Sequence, residues 1–224
     1  TETAGIQKKI IHYVTHDHIT GFYNRRYMTS FLARFAENKS IYPFSIILGD
    51  INGLKVVNDA FGRKAGDSVI RRIGNIIKSI CSPTDILGKW GGDEFIIISP
   101  NSTQGYAQEV IRKIKERCER DDHSIKLSIS FGYAVKRSEH DNLEDIFKEA
   151  EDLMVRNKIY EGASFRSHAI HLIINTLHEK NKREEQHSKR VSKICVEIGK
   201  AMGLSQSDLN KLRVIGLLHD IGKI

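Results

Sequence analysis

The stretch Ile86-Leu87-Gly88-Lys89-Trp90-Gly91-Gly92-Asp93-Glu94-Phe95-Ile96-Ile97-Ile98-Ser99 sets two apolar runs on either side of Gly-Gly-Asp. Paired glycines followed by an acid mark a tight reversal of the chain. Residues 86–90 and 94–99 therefore read as the arms of a β-hairpin. Upstream, residues 42–48 form a compact apolar run that closes at Gly49-Asp50, which reads as a buried strand. Between and around these strands the period changes. Tyr27, Met28, Phe31, Leu32 and Phe35 recur at helical spacing, as do Val69, Ile70, Ile73, Ile77 and Ile80, with Asp67 placed to cap the second set. A short helix over 7–17, a helix over 107–120, an alternating strand over 125–135 and a helix over 142–160 complete the pattern. The expected fold class is α+β: a central, mostly antiparallel sheet flanked by helices.

The chain beyond residue 164 changes character. Residues 165–180, 184–202 and 205–223 are helical in pattern with no strand between them. Gly203 stops the second helix, and Ser205 with Asp208 forms a capping-box-like start for the third. The expected division is a mixed domain over 1–164 and an all-α segment over 165–224, joined by a link at Glu161-Gly162-Ala163-Ser164.

Composition narrows the function classes. With 40% hydrophobic and 28% charged residues and three prolines in 224, the chain is a folded protein and not a low-complexity one. Its apolar runs are far shorter than the roughly 20 residues a membrane helix needs, so no membrane contact is expected. There is no signal peptide, and a start at Thr1 reads as an excision from a longer parent with an upstream sensory domain. Cys81, Cys118 and Cys195 form no CxxC or disulfide framework, which suits a cytoplasmic location. Of the net charge of +7, most lies in the tail, where 11 Lys/Arg face 6 Asp/Glu. That tail carries one aromatic, Phe165, so the charge reads as solvated helix faces rather than a nucleic-acid surface.

Asp50 at the end of a strand and Asp93 and Glu94 in a hairpin turn place three carboxylates at one edge of the sheet. Clustered carboxylates repel unless a divalent cation neutralises them, and oxygen ligands without His or Cys favour Mg²⁺ or Mn²⁺. Singly, each acid is as well explained by a turn or a strand end. Gly91 and Gly92 leave room for a phosphate or ribose to approach. The run Asp50-Ile51-Asn52-Gly53-Leu54-Lys55 sets a helix N-terminus just after the acid, where free N–H groups hold phosphates, with Lys55 nearby. Asn58 and Asp67 bracket the far end of that helix, and an amide with a carboxylate can read the donor edge of guanine.

These residues carry a resemblance to the GGDEF domain, the diguanylate cyclase family. It rests on His16-Asp17-His18-Ile19-Thr20-Gly21-Phe22-Tyr23-Asn24-Arg25-Arg26, Gly49–Lys55, Asn58-Asp59, Gly66-Asp67, Gly91–Phe95 and Ser128-Ile129-Ser130-Phe131-Gly132, in order over residues 13–162. The resemblance implies a palm-like fold that condenses two GTP into cyclic di-GMP and pyrophosphate. It implies two Mg²⁺ (or Mn²⁺) ions per site, held by Asp50, Asp93, the Ile51 carbonyl and Glu94. Glu94 would otherwise activate the ribose 3′-OH. It further implies guanine recognition by Asn58 and Asp67, phosphate contacts from Lys55 and Lys158, and a homodimer in which each 3′-OH attacks across the interface. Three departures stand out. Asn52 and Arg63 replace an Asp and a His frequent in the family. The family's Lys-x-x-Gly-Arg reads Lys158-Ile159-Tyr160-Glu161-Gly162, without its second cation. Its inhibitory Arg-x-x-Asp reads Ser82-Pro83-Thr84-Asp85, without its Arg. The alternative reading is a catalytically weak GTP-binding domain that regulates a cyclic di-GMP phosphodiesterase.

In the tail, His187 shares a helical face with Val191, Ile194 and Ile198, and His219 follows Leu212 and Ile215. Both imidazoles are expected to point inward, where they need a partner or a metal. His187 … His219-Asp220 resembles the opening of an HD-GYP phosphodiesterase domain, implying a remnant metal site at His187, His219 and Asp220. Fe or Mn would be its metal in a full-length parent. Three ligands are too few for a hydrolytic centre, so no phosphodiesterase activity is expected of the tail.

Overall fold

The structure, a computed structural model, describes residues 11–38, 41–180 and 182–219, the side chains of 163–185, 207 and 218 excepted. The chain forms two compact units, Thr1–Ser167 and His168–Ile224. In the first, five strands make one sheet: β1 (Tyr23–Asn24), β2 (Phe44–Ile51), β3 (Ile86–Lys89), β4 (Glu94–Ser99) and β5 (Ile129–Lys136), in spatial order β1-β3-β4-β2-β5. The expected hairpin is present, with Lys89 opposite Phe95. β4 and β5 both run antiparallel to β2, and only β1 is parallel to its neighbour. The sheet is thus mixed and mostly antiparallel.

Helices α1 (Arg25–Phe35), α2 (Leu54–Phe61), α3 (Arg63–Ile80), α4 (Gln104–Glu119) and α5 (Leu143–Lys180) complete this part of the chain. Alternation along the strands sends Ile47, Phe95, Ile97 and Phe131 to a core with Ile73 and Ile77 of α3 and Ile114 of α4. Their neighbours Ile46, Leu48, Ile96 and Ile98 face Met28 and Leu32 of α1 and Ala150 and Met154 of α5. Because helices cover both faces, all eight residues of β2 are buried, including the polar Ser45 and Asp50. Pairing sets its length. β5 matches β2 residue for residue, from Phe44 opposite Lys136 to Ile51 opposite Ile129. Asp50 is thus the last residue but one of β2, and residues 125–128, expected in the strand, fall outside β5.

Three other expectations change. The helix over 7–17 is seen at 11–15 and gives way at His16, which bridges to Tyr23; residues 7–10 lie outside the described residues. Asp67 does not cap α3, which begins at Arg63 behind Gly62, so Asp67 sits a turn inside it. The link at residues 161–164 is helical, inside α5. A lone glycine costs a helix only about 1 kcal/mol relative to Ala, and with Ala163 next and no proline the ladder continues.

The second unit holds α6 (Lys182–Ala201) and α7 (Gln206–Leu218). Gly203, at φ 72°, ends α6, and the Ser205 hydroxyl accepts from the Asp208 amide to start α7, both as expected. The contact face is displaced from the expected stripe. Ser188, Ser192 and Val196 are buried, whereas Ile194, Ile198 and Ile215 are about half exposed. Small residues cause the shift: a Cβ on Gly216 would stand 2.5 Å from the Ser192 Cα, so the two backbones approach along that seam.

Candidate active site

The β2–β4 register places Asp50 directly opposite Glu94, and the Asp93 carbonyl accepts from the Ile51 amide at 3.0 Å. Sheet pairing thereby gathers Asp50, Ile51, Asp93 and Glu94 at one end of the sheet, as the sequence suggested. Asp50 is almost wholly buried. Its Oδ2 lies 2.5 Å from Lys158 Nζ of α5, while its Oδ1 is buried without a hydrogen-bond partner among the described residues. Burial raises the Asp50 carboxyl above its ordinary pKa, with Asp93 adding to the rise and Lys158 opposing it. Glu94 is raised for the same reasons, burial first and then Asp50 and Asp93. Its Oε2 lies where a Cβ on Gly91 would come within 2.4 Å, so glycine at that position makes room for the carboxylate.

The carboxylates share an end of the sheet but do not close on one point. Among the described residues, no three acidic, imidazole or thiolate groups are close enough to hold an ion. Lys158 draws Asp50 one way, Glu94 lies along the Gly91 backbone, and like charges keep apart. The donor chemistry nonetheless suits a hard divalent cation. A buried carboxylate oxygen with no donor is costly unless something positive meets it, and Asp50 Oδ1 is such an atom.

α2 begins at Leu54 behind Gly53 with no side chain capping its first amides, which suits a phosphate at that end. Lys55 is exposed on its first turn. Asn58 and Asp67 come from α2 and α3. The Asn58 amide packs against Gly66, the residue before Asp67, where a Cβ would fall 1.9 Å from Asn58 Oδ1 as it stands.

Two sets of residues escaped the sequence reading. Lys89, at the end of β3, is buried, and its ammonium donates to Gly91 O, to Gly92 O at 2.8 Å and to Glu94 O at 3.3 Å. Burial lowers its pKa to about 8, although Asp17, Asp93, Glu94 and Asp50 all push it back up. The available signal was a lone lysine closing an apolar strand. Asn52, noted only as a departure, is buried and donates to the hydroxyls of Ser128 and Ser130, each at 2.9 Å. Ser130 also donates to Glu161 at 2.9 Å, and Lys115 of α4 holds the same carboxylate at 2.6 Å. This network fixes the turn of α5 that follows Lys158, and no sequence periodicity announces it.

The turn that stands at the family's inhibitory motif is closed on itself. Asp85 accepts from the Ser82 amide at 2.8 Å and from the Tyr106 hydroxyl at 2.7 Å. In the second unit, His187 and His219 meet, Nε2 to Nε2, at 3.2 Å, and His219 Nδ1 lies 3.0 Å from the Gly216 carbonyl. A carbonyl can only accept, so His219 Nδ1 is the donor in that contact. The two imidazoles are brought together, though His219 is exposed rather than turned inward. Asp220 lies outside the described residues.

Comparison with known proteins gives the family and agrees with the fold. The family model described as "Diguanylate cyclase, GGDEF domain" matches residues 14–164, and the HD domain model matches residues 185–224. The chain belongs to the GGDEF family, with a partial HD domain after it. It is 29% identical over 164 residues to the probable diguanylate cyclase DgcT of Escherichia coli, covering 70% of this chain and 34% of that one. Across the first curated relatives it spans 20% to 34% of their lengths. The crystal structure of the coiled coil and GGDEF domain of DgcB from Caulobacter crescentus, in complex with c-di-GMP, superposes with a TM-score of 0.64. It is 18% identical and shares the fold, with 70% of this chain and 87% of that one covered. The active GGEEF domain of a diguanylate cyclase from Vibrio cholerae gives 27% identity and a TM-score of 0.56, over 61% of this chain and 91% of that one. Among the described residues no helix is long and apolar enough to cross a membrane.

Proposed function

We propose that this chain is a diguanylate cyclase, condensing two GTP into cyclic di-GMP and pyrophosphate. The observation that carries the reading is Asp50: buried opposite Glu94, beside the Asp93 turn, with one carboxylate oxygen unpaired among the described residues. Asp50, Asp93, the Ile51 carbonyl and Glu94 are the groups that would hold Mg²⁺ or Mn²⁺. Such ions, when bound, acidify a ribose 3′-OH and neutralise triphosphate charge. The protein supplies position. The open amides of α2, with Lys55 and Lys158, hold phosphates, the Asp67 carboxylate accepts from the N–H edge of guanine, and the Asn58 amide adds a second polar contact to the base. Because one site presents one GTP, attack of a 3′-OH on a second α-phosphate requires a homodimer with the sites facing. Three free thiols, one buried and two half-buried, suit a cytoplasmic location.

One observation favours the second reading, a weakly active GTP-binding domain. Where the family motif ends in a cation, this chain has Gly162, and the preceding Glu161 already binds Lys115 and Ser130. Residues 165–224 are read as a separate helical segment without hydrolytic activity in this chain. Purified protein incubated with GTP and Mg²⁺, analysed by chromatography, decides between the readings. Cyclic di-GMP and pyrophosphate are expected; GTP bound but unconverted would favour the second reading.

A further inference from the structure

Between β3 and β4 the chain reverses over Trp90, Gly91, Gly92 and Asp93, and two of these four residues are the most conformationally free type. Main-chain bonds across the turn come from Trp90 N at 2.8 Å and Gly91 N at 3.3 Å, both to Glu94 O. They leave Gly91 O and Gly92 O facing inward, and a glycine pair held no further would sample many arrangements. Lys89 supplies the remaining constraint. Its ammonium has three protons, and three main-chain oxygens of the turn, on Gly91, Gly92 and Glu94, receive them. Its nitrogen also lies 4.8 Å from the centroid of the Phe95 ring, so the stem is fixed by packing as well.

The target of those bonds matters. Asp17, Asp50, Asp93 and Glu94 all surround Lys89 closely enough to act on its charge, yet its hydrogen bonds go to carbonyls. The cation thus offsets the crowding of negative charge while leaving the carboxylate oxygens for other partners. We propose that Lys89 is a positioning residue that clamps the Gly91–Glu94 turn, so that Asp93 and Glu94 are presented in the geometry catalysis needs. The proposal deepens the cyclase reading and rests on it for its kinetic consequence, but not for its structural one.

The test uses the full chain as wild type, Lys89→Met, Lys89→Gln and Lys89→Arg. Met keeps the stem over Phe95 and removes every donor; Arg keeps donors and charge. Lys89→Met is expected to lower kcat by roughly ten- to a hundredfold, the cost of a small misplacement of reacting groups, with the KM for GTP within about threefold. Lys89→Arg should recover most of the rate, and Lys89→Gln, retaining two donors, should fall between. In parallel, ¹⁵N heteronuclear NOEs of Gly91 and Gly92 should drop in Lys89→Met and recover in Lys89→Arg, while amides of α3 stay unchanged. Unchanged NOEs at both glycines in Lys89→Met, or in Lys89→Gln if the first variant does not fold, would overturn the clamp. A Lys89→Met kcat within threefold of wild type would overturn its role in positioning. Wild-type protein that makes no cyclic di-GMP would count against the cyclase reading alone, and the NOEs would still decide the clamp.

Discussion

β3 carries an acidic turn at each end, and the two turns treat their carboxylates in opposite ways. At the end before the strand, Asp85 Oδ2 accepts from both the Ser82 amide and the Tyr106 hydroxyl. At the end after it, Asp93 and Glu94 share an end of the sheet with Asp50, whose Oδ1 is buried with no donor among the described residues. Burial lifts the Asp50 and Glu94 carboxyls, and the mutual charge of the cluster adds to the lift. An acid whose bonds are met by its own chain is part of the scaffold. An acid held in a repulsive cluster is maintained at a cost in stability, and such sites are where ligands are bound. On the proposed reading, the same strand separates a structural turn from a functional one.

The largest expected effect is at the functional end. Asp93→Ala should lower the rate of cyclic di-GMP formation by on the order of a hundredfold or more while leaving the melting temperature nearly unchanged, because a turn carboxylate contributes little packing. Wild-type turnover in this variant would erase the distinction between the two turns. Lys158→Met comes next. If Lys158 holds phosphate as proposed, the variant should raise the KM for GTP roughly tenfold, and because it also strips Asp50 Oδ2 of its cation, kcat should fall with it; steady-state kinetics across GTP concentration checks both.

Asp85→Ala reverses the pattern. It should cost about 1–3 kcal/mol in chemical denaturation, since the Ser82 amide and Tyr106 hydroxyl lose their acceptor, with the reaction rate unchanged. Calorimetry with cyclic di-GMP should find no tight site at this turn. Submicromolar binding lost in Asp85→Ala would show that the turn is a ligand site after all. The smallest effect is at a third acid. Asp121 is pushed up by burial, but its hydrogen bonds with Arg72 and His123 outweigh that and hold its pKa below the usual carboxylate range. A depressed folded pKa gives stability that is present above the unfolded value of about 3.9 and is lost as pH falls through the folded one. Arg72→Met should therefore lower stability slightly at neutral pH, and the gap from wild type should close in acid unfolding below about pH 3.9.

Much of this was legible in the sequence, for identifiable reasons. The hairpin around Gly91-Gly92 and the burial of β2 follow from local period and turn chemistry, which depend on neighbours in the chain. Asp50, Asp93 and Glu94 were visible because strand ends and turns place side chains predictably. What stayed hidden depends on partners distant in sequence. The length of β2 is set by its pairing with β5, and Asn52 with Ser130 and Glu161 by where α5 runs. Asp67 looked like a cap because α3 begins earlier, at Arg63, in a stretch with little apolar periodicity. The stripe through His187, Ile194 and Ile198 was off by one position because Gly216 and Ser192, not the large residues, decide how α6 meets α7.

Manganese binding followed by electron paramagnetic resonance, with a non-hydrolysable GTP analogue present, compares the two turns most directly. Wild type, Asp50→Asn and Asp85→Asn would be titrated alike. Wild type and Asp85→Asn should bind Mn²⁺ with equal affinity, and Asp50→Asn should bind at least about tenfold more weakly, as expected when a carboxylate ligand is lost. Equal affinity in all three proteins would contradict the assignment of the Asp50 end of the sheet as the metal-binding, functional one.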